Sequence, residues 1–234
     1  GIIADLFLPN RIEKRPAVIL AMGVRTNEKD KPVLLGFANN MARLGYVVMW
    51  SRLEALDKEE IKFERPQTFI DSFQYLQKRV EVDKERISFI GFSVGSSIAM
   101  VAAEDESIHT KLRSLVFFGG YFNSLDYFIS LATKSMILDG QKILWQPHQD
   151  GINHANGILE KEGLKLEQFE SLQLSDVDIQ KVLKFSPDQN LSQFKAPIFI
   201  LHERGDNLVP FVESIKLKEA LENIKDAMKG YVES

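Results

Sequence analysis

The chain has 234 residues, 44% of them hydrophobic and 26% charged, with a net charge of −4 and no cysteine. That length and apolar content suffice for one large α/β domain or two small ones. The charge balance and the lack of a basic tract argue against nucleic acid as a partner; the missing cysteines exclude disulfides, thiolate nucleophiles and zinc–thiolate sites; and no apolar run is long enough to span a bilayer.

Ile2 to Leu8 reads as a short strand ended by Pro9-Asn10. Ala17 to Met22 is a continuous apolar run, the pattern of a strand buried on both faces, and it breaks at Gly23. After a polar loop, Pro32 suits the first turn of a helix. Leu34, Phe37, Ala38, Met41 and Leu44 fall on one face of it, and Gly45 marks its end. Tyr46 to Trp50 is the next strand, and Ser51 to Arg65 a charged loop. Pro66 opens a helix with Phe69, Phe73, Leu76 and Val80 on one face, and Asp83 to Arg86 turns the chain into the strand that follows.

That strand runs into Gly91-Phe92-Ser93-Val94-Gly95, and a small-residue helix leaves it. Strand, Gly-x-Ser-x-Gly, helix is the order a nucleophile elbow requires. Glycine at 91 and 95 removes the Cβ atoms that would collide with neighbouring elements in so tight a turn. The Ser93 hydroxyl is lifted clear of the sheet, and the Val94 N–H at a helix start can stabilise an oxyanion. The bland alternative is a plain strand-to-helix turn with serine at its tip.

Leu115 to Phe118 is a further buried strand closed by Gly119-Gly120. From Tyr121 to about Gln193 no strand-like run is visible. Leu125 to Leu138, Asn153 to Glu162 and Val177 to Phe185 look helical, and Ser175 with Asp178 resembles a capping box. Pro197 to His202 is again a buried strand, Phe211 to Leu221 a helix, and Gly230 to Glu233 the start of a last strand. Alternating strands and helices imply a parallel sheet whose strand ends gather the active residues. Ser93, the Gly23 loop and the segment His202 to Pro210 all lie at such ends.

Three blocks carry a resemblance to the α/β-hydrolase superfamily, closest to its dienelactone-hydrolase-like and esterase or peptidase-like branches. They are Pro16 to Gly23, Asp83 to Gly95 and Ser186 to Pro210. The resemblance implies an α/β-hydrolase fold, a mainly parallel sheet flanked by helices with a helical cap insertion. Residues 1–121 and 186–234 would form the core and 122–185 the cap. It further implies Ser93 as nucleophile and Asp206 as triad acid. The N–H groups of Val94 and, in the Gly23 turn, Val24 would make the oxyanion hole. The expected reaction is cleavage of an ester or related acyl bond of a small-molecule substrate through an acyl-enzyme. Neither cofactor nor metal is implied.

The family order is Ser, acid, His, yet no histidine follows Asp206; the four are His109, His148, His154 and His202. Three readings compete: the natural protein continues and supplies the histidine, the chain is a non-catalytic binding or interaction module, or His148 or His154 serves an unusual triad. His202 reads as a structural hydrogen-bonding group, His109 as a solvated turn residue, Asp126 as a weaker candidate acid, and Arg25 as a surface residue able to meet a carboxylate. A peptidase or acyltransferase shares the same attack on a carbonyl and stays open. No signal peptide is visible; the compartment stays open, with the cytoplasm as the expectation.

Overall fold

A computed structural model of the chain describes residues 2–10, 13–23, 31–52 and 66–224, and the backbone of 229–233. Strands β1 (Ile3–Phe7), β2 (Arg15–Ala21), β3 (Val47–Arg52), β4 (Val82–Phe92), β5 (Ser114–Phe118), β8 (Ile198–His202) and β9 (Lys229–Glu233) form one sheet in the order β1-β3-β2-β4-β5-β8-β9. Every pairing is parallel except β1 with β3. This is the doubly covered, mainly parallel sheet that the alternating sequence pattern implies.

The central strand shows why. In β2 the side chains alternate between two apolar clusters, as the two-residue period of a strand requires. Val18 and Leu20 pack with Ala38, Val48 and Trp50 under α1 (Lys31–Arg43). Ala17, Ile19 and Ala21 pack with Phe69, Phe73 and Leu76 of α2 (Pro66–Gln77), with Phe89, and with Ile98 and Met100 of α3 (Val94–Ala103). With both faces covered, β2 has no place for a polar residue beyond Arg15.

Between β5 and β8 the chain runs through α4 (Ser124–Thr133), a hairpin of β6 (Ser135–Leu138) and β7 (Gln141–Leu144), α5 (Gln149–Lys161), α6 (Leu166–Glu170) and α7 (Asp176–Leu183), then two 3₁₀ turns at Pro187–Gln189 and Leu191–Gln193. The last described helix is α8 (Val212–Glu222). The Ser175–Asp178 capping box is present at the start of α7.

Four sequence expectations need correction. The helix expected to reach Leu138 ends at Thr133, where Lys134 adopts φ 49°, and a strand hairpin follows. Its turn residues Asp139 and Gly140 both have positive φ, 50° and 74°, the two-residue geometry that an Asp-Gly pair favours. Asp83 to Arg86 lies inside β4 rather than in a turn, at an end of the strand where the side chains meet solvent. Val80 lies beyond the end of α2 and is 85% exposed, so it is no part of that helix's apolar face. The Ser51–Arg65 loop begins later than expected, since Ser51 and Arg52 belong to β3; its remaining residues, 53–65, lie outside the described residues.

Candidate active site

Ser93 stands between β4 and α3 with φ 53° and ψ −137°, a conformation L side chains rarely adopt. The surroundings hold it there. Its N–H donates to the Phe118 carbonyl at 2.7 Å, and its own carbonyl accepts from Ser96 N at 2.8 Å. The Ser96 hydroxyl, fully buried, bridges back to Phe118 by donating to its carbonyl at 3.0 Å and accepting from its N–H at 3.1 Å. Ser97, one residue on, donates to the Tyr121 carbonyl at 2.7 Å. The elbow is thus pinned to β5 and to the segment beyond it.

Both motif glycines are required by close backbone approach. A Cβ on Gly91 would overlap Ser96 Cα, and one on Gly95 would lie 2.6 Å from the Met22 carbonyl carbon at the end of β2. Backbone on both sides leaves nothing flexible to yield. Gly95→Ala is therefore expected to cost about 1–3 kcal/mol, the range for forced overpacking, and to displace the turn. Urea unfolding would show a lowered midpoint with unchanged slope.

Gly23 brings the loop after β2 against the serine: a Cβ there would sit 2.8 Å from Ser93 Cβ and 3.3 Å from its hydroxyl oxygen. Val24 and Arg25, which continue this loop, lie outside the described residues. Val94 is the first residue of α3, so its N–H has no acceptor within the helix.

Asp206 lies in the loop after β8. Its Oδ1 accepts from the N–H groups of Leu208 and Val209 at 2.7 and 3.1 Å. Its Oδ2 sits 3.3 Å from where a Cβ on Gly119 would be, and Gly119, at φ 62°, follows β5 directly. Ser93 and Asp206 thus close off the carboxyl ends of strands on either side of β5. The Asp206 carbonyl accepts from Trp145 Nε1 at 2.8 Å, and the Asn207 carbonyl from His148 N at 2.7 Å. The segment between β5 and β8 therefore rests directly on the acid's loop.

The four histidines occupy different places. His202 is buried, with Nε2 3.1 Å from the Val209 carbonyl and Nδ1 2.6 Å from the Ser214 hydroxyl. A carbonyl can only accept, so Nε2 carries the proton and Nδ1 accepts from Ser214. That Nε2 is also 3.4 Å from Asp206 Oδ2. One ring nitrogen thus holds the loop and the other holds α8. His109 follows α3 at the end remote from Ser93, about 15 Å along the helix axis. Its Nδ1 is buried, in contrast to the solvated residue expected. His148 caps α5, its Nδ1 accepting from Asp150 N at 3.2 Å. His154 lines a cavity of about 40 Å³ together with Val94, Ile98, Tyr121, Tyr127, Phe128 and Ile158. Tyr121 and Tyr127 stack at 5.3 Å in its wall, and burial pushes the Tyr127 hydroxyl pKa up.

Asp126, the weaker candidate acid, is committed elsewhere. Its Oδ2 pairs with Lys216 Nζ at 2.7 Å, and Lys216 also reaches Glu213 at 2.8 Å. Glu213 is fully buried and accepts from the N–H groups of Phe122 and Asn123 at 3.0 and 2.8 Å. Burial pushes its pKa up against the pull of Lys216. This cluster fastens the start of α4 to α8. Sequence reasoning passed over Ser96, Ser97 and Glu213, because each takes its meaning from a partner more than 20 residues away. Among the described residues, no three acidic, imidazole or thiol side chains converge in a way that could hold a metal ion, and no helix is long and apolar enough to cross a membrane.

No family model matches the chain, and no curated protein matches it. Solved structures do. An acylaminoacyl peptidase of Pyrococcus horikoshii superposes with a TM-score of 0.64 at 16% identity over 99% of this chain and 34% of that one. Esterase 2 of Thermogutta terrifontis gives 0.62 at 17% identity, covering 99% and 77%. Dipeptidyl peptidase 4 of Porphyromonas gingivalis gives 0.63 at 12%, covering 99% and 29%. The chain spans about a third of the length of the two peptidases. The likeness at these identities is one of fold, and the fold is that of the α/β-hydrolases.

Proposed function

We propose that this chain is the hydrolase portion of a serine enzyme that cleaves an ester or related acyl bond. The observation that carries the reading is the Ser93 turn: a non-glycine residue held at φ 53° between strand and helix, with Gly23 against its hydroxyl. A serine hydroxyl is a poor nucleophile at its free pKa and needs a base. Ser93 Oγ attacks the carbonyl carbon as that base takes its proton. The oxyanion is met by the Val94 N–H and by an N–H of the Val24 turn. Collapse expels the leaving group, reprotonated by the same base, and leaves an acyl-Ser93 ester. Water, deprotonated in turn, releases the acid and restores the serine. Asp206 orients the base and stabilises its cationic form. Residues 122–185 act as a cap. The small aromatic-walled cavity beside Val94 takes the apolar part of the substrate.

The base is a histidine supplied by residues following Ser234, in the order Ser, acid, His. His154 is the second candidate, favoured by its place on the cavity that Val94 lines. A binding module without turnover is the reading from a different class, favoured by the full engagement of His202 beside Asp206. Peptidase activity draws on the acylaminoacyl and dipeptidyl peptidases among the similar folds.

A fluorophosphonate probe, followed by peptide mass spectrometry, separates these. Rapid adduct formation on Ser93 in the natural-length product, but slow labelling of residues 1–234, is the expected result. Equal rapid labelling of both would move the base to His154. No labelling of folded natural-length protein would leave the binding module. Asp206→Asn keeps an acceptor for Leu208 and Val209 but loses the anionic Oδ2. It should lower kcat by on the order of 10⁴ where the acid orients a base, with the melting temperature little changed.

A further inference from the structure

The far end of α3 carries a second feature that the acyl chemistry does not use. Glu104 caps the helix C-terminus and is only 5% exposed, and among the described residues neither carboxyl oxygen has a hydrogen-bond partner. A buried carboxyl without a donor is costly and uncommon. It lines an open surface cavity of about 580 Å³ together with Pro66, Gln67, Ile70, Val101 and Asn190. Asp105 lines the same cavity, and Asp188 lies close enough to act on Glu104 through its charge.

Each of those two neighbouring acids already has donors. Asp188 accepts from Asn123 Nδ2 at 2.7 Å and Gln189 Nε2 at 3.0 Å, and Asp105 from the N–H and hydroxyl of Ser107 at 2.9 and 2.6 Å. Glu104 is the acid left with none. The helix adds to the deficit, since the free carbonyls of its last turn carry partial negative charge that favours a cation. Pro66, Ile70 and Val101 offer apolar wall, and Gln67 and Asn190 offer amide oxygens.

We propose that this cavity binds an alkylammonium or guanidinium group, with Glu104 as counter-ion and the apolar wall taking the methylene stem. A divalent metal fits poorly. It wants six or more oxygens, and no three acidic, imidazole or thiol groups converge among the described residues. A cationic head on an aliphatic stem uses both halves of the lining. The same chemistry is offered by a free amine and by a lysine or arginine side chain of a partner.

Burial and the charge of Asp188 push the Glu104 pKa up to about 9, so binding at neutral pH must expel a proton. The titratable groups facing it among the described residues are Asp188 and Asp105, while α2 presents Gln67 and Ile70. Isothermal titration of the chain with n-butylammonium chloride, against sodium chloride at equal ionic strength, tests this. Saturable binding is expected, with about one proton released at pH 7 and affinity rising up to about tenfold per pH unit between 6 and 8. A blocked peptide with one central lysine separates the sources: tighter binding than butylammonium points to a protein side chain, weaker binding to a free amine. Glu104→Gln should abolish binding. Gln67→Lys, on an exposed position of the same lining, should block it by supplying a tethered ammonium. Absence of saturable heat, or binding without proton release, or equal binding by Glu104→Gln, overturns the proposal.

Discussion

Ser93→Ala is expected to remove acyl turnover and fluorophosphonate labelling together. In enzymes whose nucleophile, base and acid act as a unit, losing the nucleophile costs on the order of 10⁶ in kcat. The fold should not notice. Alanine keeps the Cβ, so the strain at φ 53° stays as it is, and every hydrogen bond the structure gives Ser93 in the turn runs through its backbone, to Phe118 and Ser96. Wild type and variant should melt within a degree or two of each other while activity disappears. Unchanged turnover in the variant, measured on whichever ester the natural-length protein cleaves, would reject Ser93 as nucleophile.

The second large effect is on stability, at Glu104. Its folded pKa is raised to about 9 from an ordinary value of 4.5, first by burial and then by Asp188. The folded state therefore keeps a proton that the unfolded state gives up. Below about pH 4.5 both states hold it and the penalty is absent. As pH rises from there the folded state loses ground, by up to about 1.4 kcal/mol per pH unit, until its own carboxyl ionises near 9. At pH 7 the accumulated loss is about 3 kcal/mol. Glu104→Gln is neutral at every pH and escapes it. Urea unfolding of both proteins at pH 5, 7 and 8.5 should show the variant gaining steadily on wild type. All other titrating groups cancel in the difference. Parallel curves would mean that Glu104 ionises near its ordinary value.

What was legible in the sequence was what depends on near neighbours. The Gly91-Phe92-Ser93-Val94-Gly95 turn encodes its own geometry, since both glycines and the flanking strand and helix lie within a few residues. The buried strands announce themselves as apolar runs, and Asp206 stands out by its place after one of them. The β6–β7 hairpin was missed although Asp139-Gly140 marks it, because its apolar residues also extend the periodicity of the preceding helix. Glu104 gave no signal at all. A charged residue at the end of a helix ordinarily faces water, whereas here α2 and the 3₁₀ turn at Pro187–Gln189 pack against the helix that carries it. The two tethers from Trp145 and His148 to the Asp206 loop join positions about 60 residues apart, which no local pattern encodes.

The backbone angles at Ser93 bear on how this chain came to be as it is. Glycine would occupy φ 53°, ψ −137° with less strain. A lineage under selection for folding alone would meet a standing incentive to drop the side chain, because a strained non-glycine residue costs of order 1–3 kcal/mol. A hydroxymethyl group at the one position of the elbow where it is least welcome is what the proposed role of Ser93 as nucleophile calls for.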